Sequence, residues 1–161
     1  MTLFRAVKSV LDRILEVLVM AVVAVLVLDV LWQVFTRFVL NDPSTWTEEL
    51  ARFMLIWVSL LGAAVALGRG AHLGIDYFVG KMPKSVQRRI EIFVFGCIAL
   101  FSLLVMFLGG CELVRSNLAL GQASPALGVK MGYVYLAIPI SGFFLTLYAV
   151  IGVVERLGGA D

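Results

Sequence analysis

The sequence predicts an all-α integral membrane protein with four transmembrane helices, and two observations lead to this fold class. Of the 161 residues, 61% are hydrophobic and 15% are charged, whereas soluble domains have roughly 45–50% apolar and about 25% charged residues. Four apolar segments, at residues 14–40, 49–68, 85–120 and 131–156, reach the length of about 20 residues that crosses a hydrocarbon core. We therefore interpret residues 1–161 as a single four-helix transmembrane domain.

Helices are predicted for these segments because open strands would leave backbone N–H and C=O groups without partners in lipid. None of the segments alternates apolar and polar residues in the way that is typical of a barrel strand. The first apolar segment runs past Asp29 to Leu40 without a small-x-small cleavage site. This continuity favours an uncleaved first span over a secretory signal peptide.

The distribution of lysine and arginine predicts the orientation of the spans. Basic residues precede the first span and occupy the connection between the second and the third: Arg5, Lys8, Arg13, Arg69, Lys81, Lys84, Arg88 and Arg89. Short loops rich in lysine and arginine remain in the cytoplasm. Both the N-terminus and the C-terminus are therefore predicted to be cytoplasmic, and the side that carries Arg115 and Lys130 is predicted to face outward.

The connection between the second and third spans contains an amphipathic pattern. Apolar residues recur there at i, i+3, i+4 and i+7, in Ile75, Phe78, Val79 and Met82. This spacing predicts a short helix that lies in the inner headgroup plane. Membrane phospholipid is therefore a predicted partner.

Two of the spans are predicted to be irregular. From Ser85 to Leu120 there is no proline, so the third helix would be roughly 50 Å long, more than the bilayer requires. It is expected to tilt or protrude, with Gly109-Gly110 as the place where it bends. In the fourth span, Pro139 removes one backbone hydrogen bond and is expected to kink the helix.

Asp29 is the most informative polar residue because it lies near the middle of the first span. An acidic side chain at that depth costs about 2.5–3.5 kcal/mol on insertion scales. Gln33 and Arg37 follow at i+4 and i+8, so the three form a polar stripe on one helix face. This stripe is interpreted as a seam to another helix or subunit, with a proton or ion relay as the alternative. The seam is favoured because no second intramembrane acid lies at a comparable depth.

The second span begins with the sequence TWTEELAR, in which Trp46 marks the outer interface and Thr47 is predicted to cap the helix. Glu48 and Glu49 lie where the helix dipole favours acids. Arg52 follows at i+4 and i+3 from them, which favours ion pairing. A catalytic pair of carboxylates is not favoured, because adjacent helical positions do not face each other across a substrate.

Other residues restrict the function class further. Small residues on one face of the second span, including Gly62, indicate close approach of another helix. His72 is the only histidine, which excludes a bis-histidine haem site within the chain. The net charge of +2 and the placement of the basic residues in loops do not indicate a nucleic-acid partner. Without a phosphate-binding loop or a nucleophile paired with a base, we expect neither an enzyme nor a cofactor.

The residues from Gln33 to Phe78 resemble the signature region of the small permease subunit of tripartite ATP-independent periplasmic (TRAP) transporters. The matching positions are Gln33, Arg37, Phe38, Asn41, Trp46, Glu48, Glu49, Arg52, Trp57, Gly62, Ala63, Ala64, His72 and Asp76. Residues Ser124 to Gly142, with Pro139 in its place, are similar to a second signature. Lys130 departs from the pattern, since many members have a proline there. The resemblance extends over roughly residues 15–155.

This resemblance implies both a function and partners. The implied partners are a large permease subunit, which binds substrate and sodium and moves elevator-fashion, and a periplasmic substrate-binding protein that associates transiently. The small subunit would then be a stationary scaffold in the bacterial inner membrane. It would belong to a secondary active symporter for organic acids such as C4-dicarboxylates or sialic acid.

An alternative from a different class remains open at this point. The residues alone also permit a self-sufficient, homodimeric, proton-coupled transporter with Asp29 as the coupling acid. The scaffold interpretation adds a role for the long third helix and the outer loops, which are expected to form the periplasmic surface where the binding protein docks.

Overall fold

The structure, a computed structural model, describes residues 2–42, 44–70 and 83–157. Its helical segments are α1 (Thr2–Phe38), α2 (Thr45–Gly68), α3 (Lys84–Phe101), a π-helical segment (Ser102–Gly109), α4 (Gly110–Ala119), α5 (Met131–Tyr135) and α6 (Ala137–Leu157). The predicted interfacial helix, with His72 and Asp76, lies outside the described residues.

Four helical stretches are long and apolar enough to cross a membrane: Ser9–Phe38, Thr45–Gly68, Val86–Ala119 and Met131–Leu157. The predicted all-α fold with four spans is therefore confirmed. The third stretch combines α3, the π segment and α4, and the fourth combines α5 and α6.

The prediction that Thr47 caps the second span was wrong. Helix α2 begins at Thr45, and its N-cap is Ser44, whose backbone is extended with φ −75° and ψ 111°. Thr47 therefore lies inside the first turn, where it is fully buried, and its hydroxyl donates to the Ser44 carbonyl at 2.8 Å. A side chain that bonds back to a carbonyl in this way cannot satisfy the free N–H groups that begin the helix.

The spans pack in a row in which the first contacts the second, the second contacts the fourth, and the fourth contacts the third. One core cluster joins the first three members of this row. Leu15 of α1 and Leu61 and Ala64 of α2 pack there with Tyr148 and Ile151 of α6. All five residues are at most 7% exposed, so this cluster fixes α1 to the other helices.

Polar contacts reinforce the same side of the protein, which we call the basic end because it holds Arg13, Arg69, Arg88 and Arg156. The Tyr148 hydroxyl donates to Asp12 Oδ1 at 2.5 Å, which ties α6 to α1. Arg69, directly after α2, forms a 2.9 Å ion pair with Glu16 of α1. These two contacts bring the first half of α1, the end of α2 and the middle of α6 together.

The third and fourth spans are also tied at the basic end. Arg156 of α6 forms a 2.5 Å ion pair with Glu91 of α3, and its guanidinium lies 4.3 Å from the centre of the Phe95 ring. Arg88 donates to the backbone carbonyls of Arg156 and Leu157 at 2.6 and 3.0 Å. These carbonyls are among the last four of the helix, which have no partner within it.

Deeper in the membrane, the π segment packs directly on α6. Gly142 permits this approach, because a Cβ atom at that position would lie 2.8 Å from Met106 Cβ and from the Phe107 backbone nitrogen. One turn further along α6, the Thr146 and Ser102 hydroxyls are 2.8 Å apart and share a hydrogen bond. The third span is therefore locked to the fourth by close backbone packing and by one buried polar pair.

The fourth span is interrupted at Leu136, three residues before Pro139, where the sequence predicts a kink. Helix α5 ends at Tyr135 and α6 begins at Ala137, with Leu136 between them. Pro139 has no N–H to donate to the Tyr135 carbonyl four residues earlier. In the third span, the irregularity is the π segment, and Gly109-Gly110 marks its return to an α-helix.

Candidate functional site

Between Val17 and Phe38, the residues of α1 that are not exposed lie on one continuous stripe, which begins at Leu15. In chain order they are Leu15, Val19, Val22, Leu26, Asp29, Gln33 and Thr36. The spacing alternates between four and three residues, which is the 3.5-residue period of two helices packed side by side. Since α1 packs mainly on α2, this stripe is the surface that α1 presents to α2.

Asp29 lies in this stripe and is only 7% exposed. Neither of its carboxylate oxygens has a hydrogen-bond partner among the residues that the structure describes. A buried polar group without a partner costs about 1–3 kcal/mol, and more when it is charged. Among the described residues, Asp29 is therefore a buried carboxylate that lacks a hydrogen-bond donor.

The polar stripe predicted at Asp29, Gln33 and Arg37 becomes more exposed toward the end of α1. Gln33 is half-buried and Arg37 is exposed, with its guanidinium 5.9 Å from the centre of the Phe38 ring. Thr36 takes the next buried position, and its hydroxyl donates to the Gln33 carbonyl at 3.0 Å. Sequence reasoning missed Thr36, although the 3.5-residue period that begins at Leu15 includes it.

Asn41 ends the first span. Its φ of 51° lies in the left-handed region, which asparagine adopts more readily than most residues. The next residue, Asp42, donates its N–H to the Thr36 carbonyl at 3.2 Å. This reversal leads the chain to the start of α2, so Asn41 of the signature region has a conformational role.

The start of α2 lies at the opposite side from the basic end, which we call the loop end because residues 120–130 join α4 to α5 there. Glu49 reaches this loop, and its Oε2 accepts hydrogen bonds from the N–H groups of Leu127 at 2.8 Å and Ala126 at 3.0 Å. Glu48 instead forms a 3.3 Å surface ion pair with Arg52. The two acids of the motif thus have separate tasks, and only Glu49 joins distant parts of the chain.

Replacing Glu49 with alanine is expected to free this loop, because two hydrogen bonds to a charged acceptor are lost, worth about 1.5–3 kcal/mol each. Hydrogen exchange at the Ala126 and Leu127 amides should become at least about tenfold faster. The Glu48→Ala variant is the matched control, since an exposed ion pair contributes only about 0.2–1 kcal/mol. Equal exchange in both variants would contradict the role of Glu49.

Lys130 stands in this loop where the family pattern has a proline. Its backbone φ is −63°, close to the value of about −65° that a proline ring imposes. The loop is held instead by Ser124, whose N–H donates to the Val129 carbonyl at 2.9 Å, and by the Met131 N–H, which donates to the Gln122 carbonyl at 2.9 Å. The departure from the pattern therefore leaves the loop backbone in the conformation that a proline would favour.

Two further residues predicted for the site, Trp46 and Gly62, lie elsewhere on α2. Trp46 is 44% exposed, at the first turn of α2. No atom lies within 4 Å of the position that a Gly62 Cβ would occupy, so no described helix of this chain makes the close approach predicted there. Within residues 2–42, 44–70 and 83–157, no three His, Cys, Asp or Glu side chains are grouped to hold a metal ion.

An apolar cavity of about 410 Å³ opens at the loop end, between α1 and α5 and over one face of α2. We call it the loop-end groove. Val25 of α1, Phe53 and Trp57 of α2, and Tyr133 of α5 are among its lining residues. Its walls offer van der Waals contact and few polar groups, so it suits a hydrocarbon chain or an apolar helix.

A row of apolar helices, with its polar contacts at the helix ends and in the seams between helices, defines a multi-spanning helical membrane protein. The family model described as "Tripartite ATP-independent periplasmic transporters, DctQ component" matches residues 26–159. The chain belongs to this family, which confirms the resemblance seen in the sequence. It is accordingly a TRAP small permease protein of the bacterial inner membrane.

Individual relatives support the same assignment. The chain is 30% identical over 142 residues to the sialic acid TRAP transporter small permease protein of Vibrio cholerae, with 86% of this chain and 78% of that protein covered. It is 32% identical over 95 residues to the C4-dicarboxylate TRAP transporter small permease protein of Rhodobacter capsulatus, covering 59% and 41%. It is also 31% identical over 121 residues to the isethionate TRAP transporter permease protein DctMQ of Oleidesulfovibrio alaskensis, covering 73% and 19%.

Proposed function

We propose that this chain is the stationary scaffold subunit of a TRAP transporter. It supports a large permease subunit in ion-gradient-driven, binding-protein-dependent uptake of an organic acid. Small permeases of this family work with large permease subunits, and in the DctMQ relative the matched region is 19% of one longer permease protein. The named substrates of two relatives, sialic acid and C4-dicarboxylates, define the class of organic acids proposed for this transporter.

One observation carries the scaffold role. The loop-end groove is lined almost entirely by apolar side chains, whereas an organic acid requires hydrogen-bond donors or a cation to replace the water around its carboxylate. At both ends of the helices, polar side chains are engaged with one another or with backbone groups. The arrangement suits a rigid support, and the large subunit supplies the anion site.

The experiment measures uptake by proteoliposomes that contain this chain, the large permease from the same operon, or both. A ¹⁴C-labelled C4-dicarboxylate or sialic acid is supplied together with the cognate binding protein and an imposed sodium or proton gradient. We expect uptake only with both subunits and stable co-purification of the two. Uptake by this chain alone would overturn the proposal in favour of the self-sufficient carrier.

We further propose that the basic end faces the cytoplasm, with both termini, and that the loop end faces the periplasm. Arg115 near the end of α4 and Lys130 before α5 are exposed at the loop end, where the binding protein would dock. Two backbone N–H groups of the loop between them donate hydrogen bonds to Glu49. A docking surface of this kind gains from rigidity, since less entropy is lost on association.

Reversing both charges, with Arg115→Glu and Lys130→Glu, is expected to raise the binding-protein concentration that gives half-maximal uptake by about tenfold or more. Charges at the rim of an interface act mainly through the association rate and its salt dependence. The matched control is Arg89→Glu, an exposed residue at the basic end, which should leave this concentration unchanged. Unaltered uptake in the double variant would remove the loop end as the docking surface.

A further inference from the structure

The loop-end groove arises because α1 and the fourth span meet at only one end. At the basic end, Asp12 and Tyr148 are hydrogen-bonded at 2.5 Å, and Leu15 packs in the same core cluster as Tyr148. Toward the loop end, the groove lies between Val25 of α1 and Tyr133 of α5. Among the described residues, the part of α1 nearer the loop end therefore packs mainly on α2, and a concave apolar surface remains open beside it.

The residues that line the groove are those that protein interfaces favour. Phe53, Met54 and Trp57 of α2 and Tyr133 of α5 all contribute to it. Aromatic residues and methionine are enriched in the buried centres of protein interfaces. At about 410 Å³, the groove has room for several side chains of a neighbouring helix.

Asp29 distinguishes between the possible occupants. It follows Val25 by four residues, so it lies next to the groove wall on the edge of the α1 surface that faces α2, one turn nearer the loop end, although it does not itself line the groove. Its buried carboxylate has no hydrogen-bond donor among the described residues. A lipid acyl chain has no donor to offer at this depth, whereas the side chains of a protein helix do.

We propose that the loop-end groove seats an apolar transmembrane helix of the large permease subunit, and that this helix brings a hydrogen-bond donor to the depth of Asp29. The carboxylate of Asp29 is buried within the chain and is not part of the groove wall, so the proposal includes a change in its χ1 rotamer that turns it toward that donor. The inference rests on the proposed function, because it requires a large subunit, and it specifies which face of the small subunit that partner occupies. The DctMQ relative, in which the matched region belongs to a much longer chain, is consistent with such a contact.

The test uses two valines at nearly the same membrane depth. Val25 lines the groove and Val27 does not, and they are 47% and 51% exposed. Two positions apart on a helix corresponds to a rotation of about 200°, so the two side chains point in nearly opposite directions. A photo-reactive benzophenone amino acid is placed at one position or the other in the co-expressed complex. We expect a cross-link to the large subunit from position 25, at least about tenfold stronger than from position 27.

A steric variant gives an independent readout in the same complex. Val25→Trp should fill the groove and lower the amount of large subunit that co-purifies by about tenfold, whereas Val27→Trp should leave it within about twofold. Equal cross-linking or equal loss at both positions would overturn the inference. So would a phospholipid that native mass spectrometry finds displaced by Val25→Trp while the large subunit is retained.

These outcomes are separable from failure of the proposed function. If the unsubstituted chain does not bind the large subunit at all, the scaffold role itself is wrong. If it binds the large subunit but position 25 does not cross-link, the scaffold role stands and the assignment of the groove is wrong.

Discussion

Replacing Gly142 with alanine is expected to lower the free energy of unfolding of the full chain by about 1–3 kcal/mol, the usual cost of inserting a methyl group into a packed core. The added Cβ would lie 2.8 Å from the Phe107 backbone nitrogen, and 2.8 and 3.0 Å from Met106 Cβ and its carbonyl carbon. These are backbone atoms or are attached directly to the backbone, so no side-chain rotation relieves the contact. The π segment must move away from α6.

Such a movement would also disturb the Ser102–Thr146 hydrogen bond, which lies one turn further along α6 at 2.8 Å. Both hydroxyls are in the membrane-spanning part of the chain, where no water replaces a lost partner. The effect of Gly142→Ala should therefore exceed that of a clash with a flexible side chain. Gly152 illustrates that milder case, since its nearest neighbours are atoms of the Phe95 ring.

The measurement is unfolding of the purified chain in mixed micelles by titration with a denaturing detergent, followed by circular dichroism. Gly96→Ala on α3 is the matched control, because nothing lies within 4 Å of its Cβ position. Alanine favours a helix over glycine by about 0.8–1.0 kcal/mol, so this variant should be at least as stable as the parent. A Gly142→Ala variant of parental stability would contradict the close packing of the π segment.

The number and type of the helices were predictable because hydrophobic length alone identifies spans in lipid. The start of α2 was not, because Ser44, Thr45 and Thr47 all have hydroxyls that can act at a helix start. Which of these residues caps the helix depends on which of them is buried. Thr47 is buried, and its hydroxyl donates to the Ser44 carbonyl. The π segment was equally hidden from sequence reasoning, since Ser102–Gly109 has an ordinary helical composition and packs on Gly142, which is distant in the sequence.

At the site, the sequence places Asp29, Gln33 and Arg37 on one helix face, and the structure buries Asp29 while it leaves Arg37 exposed. The role of Glu49 could not be predicted, because its partners are backbone N–H groups 77 and 78 residues away. Every residue except proline carries such a group, so the sequence of the loop does not reveal the contact. The exposure of Arg37 also depends on the helix period, which places Thr36 on the buried face.

The second large effect is expected at Asp29, where Asp29→Leu should raise the stability of the full chain alone by about 1–3 kcal/mol, the cost of an unsatisfied buried polar group. The same substitution should weaken binding of the large subunit, because leucine accepts no hydrogen bond. Unfolding in micelles and co-purification measure the two effects separately. A variant that is less stable alone and binds normally would contradict the proposed role.

Asp29→Asn then distinguishes the scaffold from the proton-coupled carrier. Asparagine has nearly the shape of aspartate and keeps an acceptor oxygen, but it cannot take up and release a proton near neutral pH. A scaffold should retain most of its binding to the large subunit and its support of uptake, because the hydrogen bond at Asp29 persists. A carrier that uses Asp29 as its coupling acid should lose uptake driven by a proton gradient. Retained uptake with Asp29→Asn, together with weakened binding with Asp29→Leu, would identify Asp29 as an acceptor within a subunit interface.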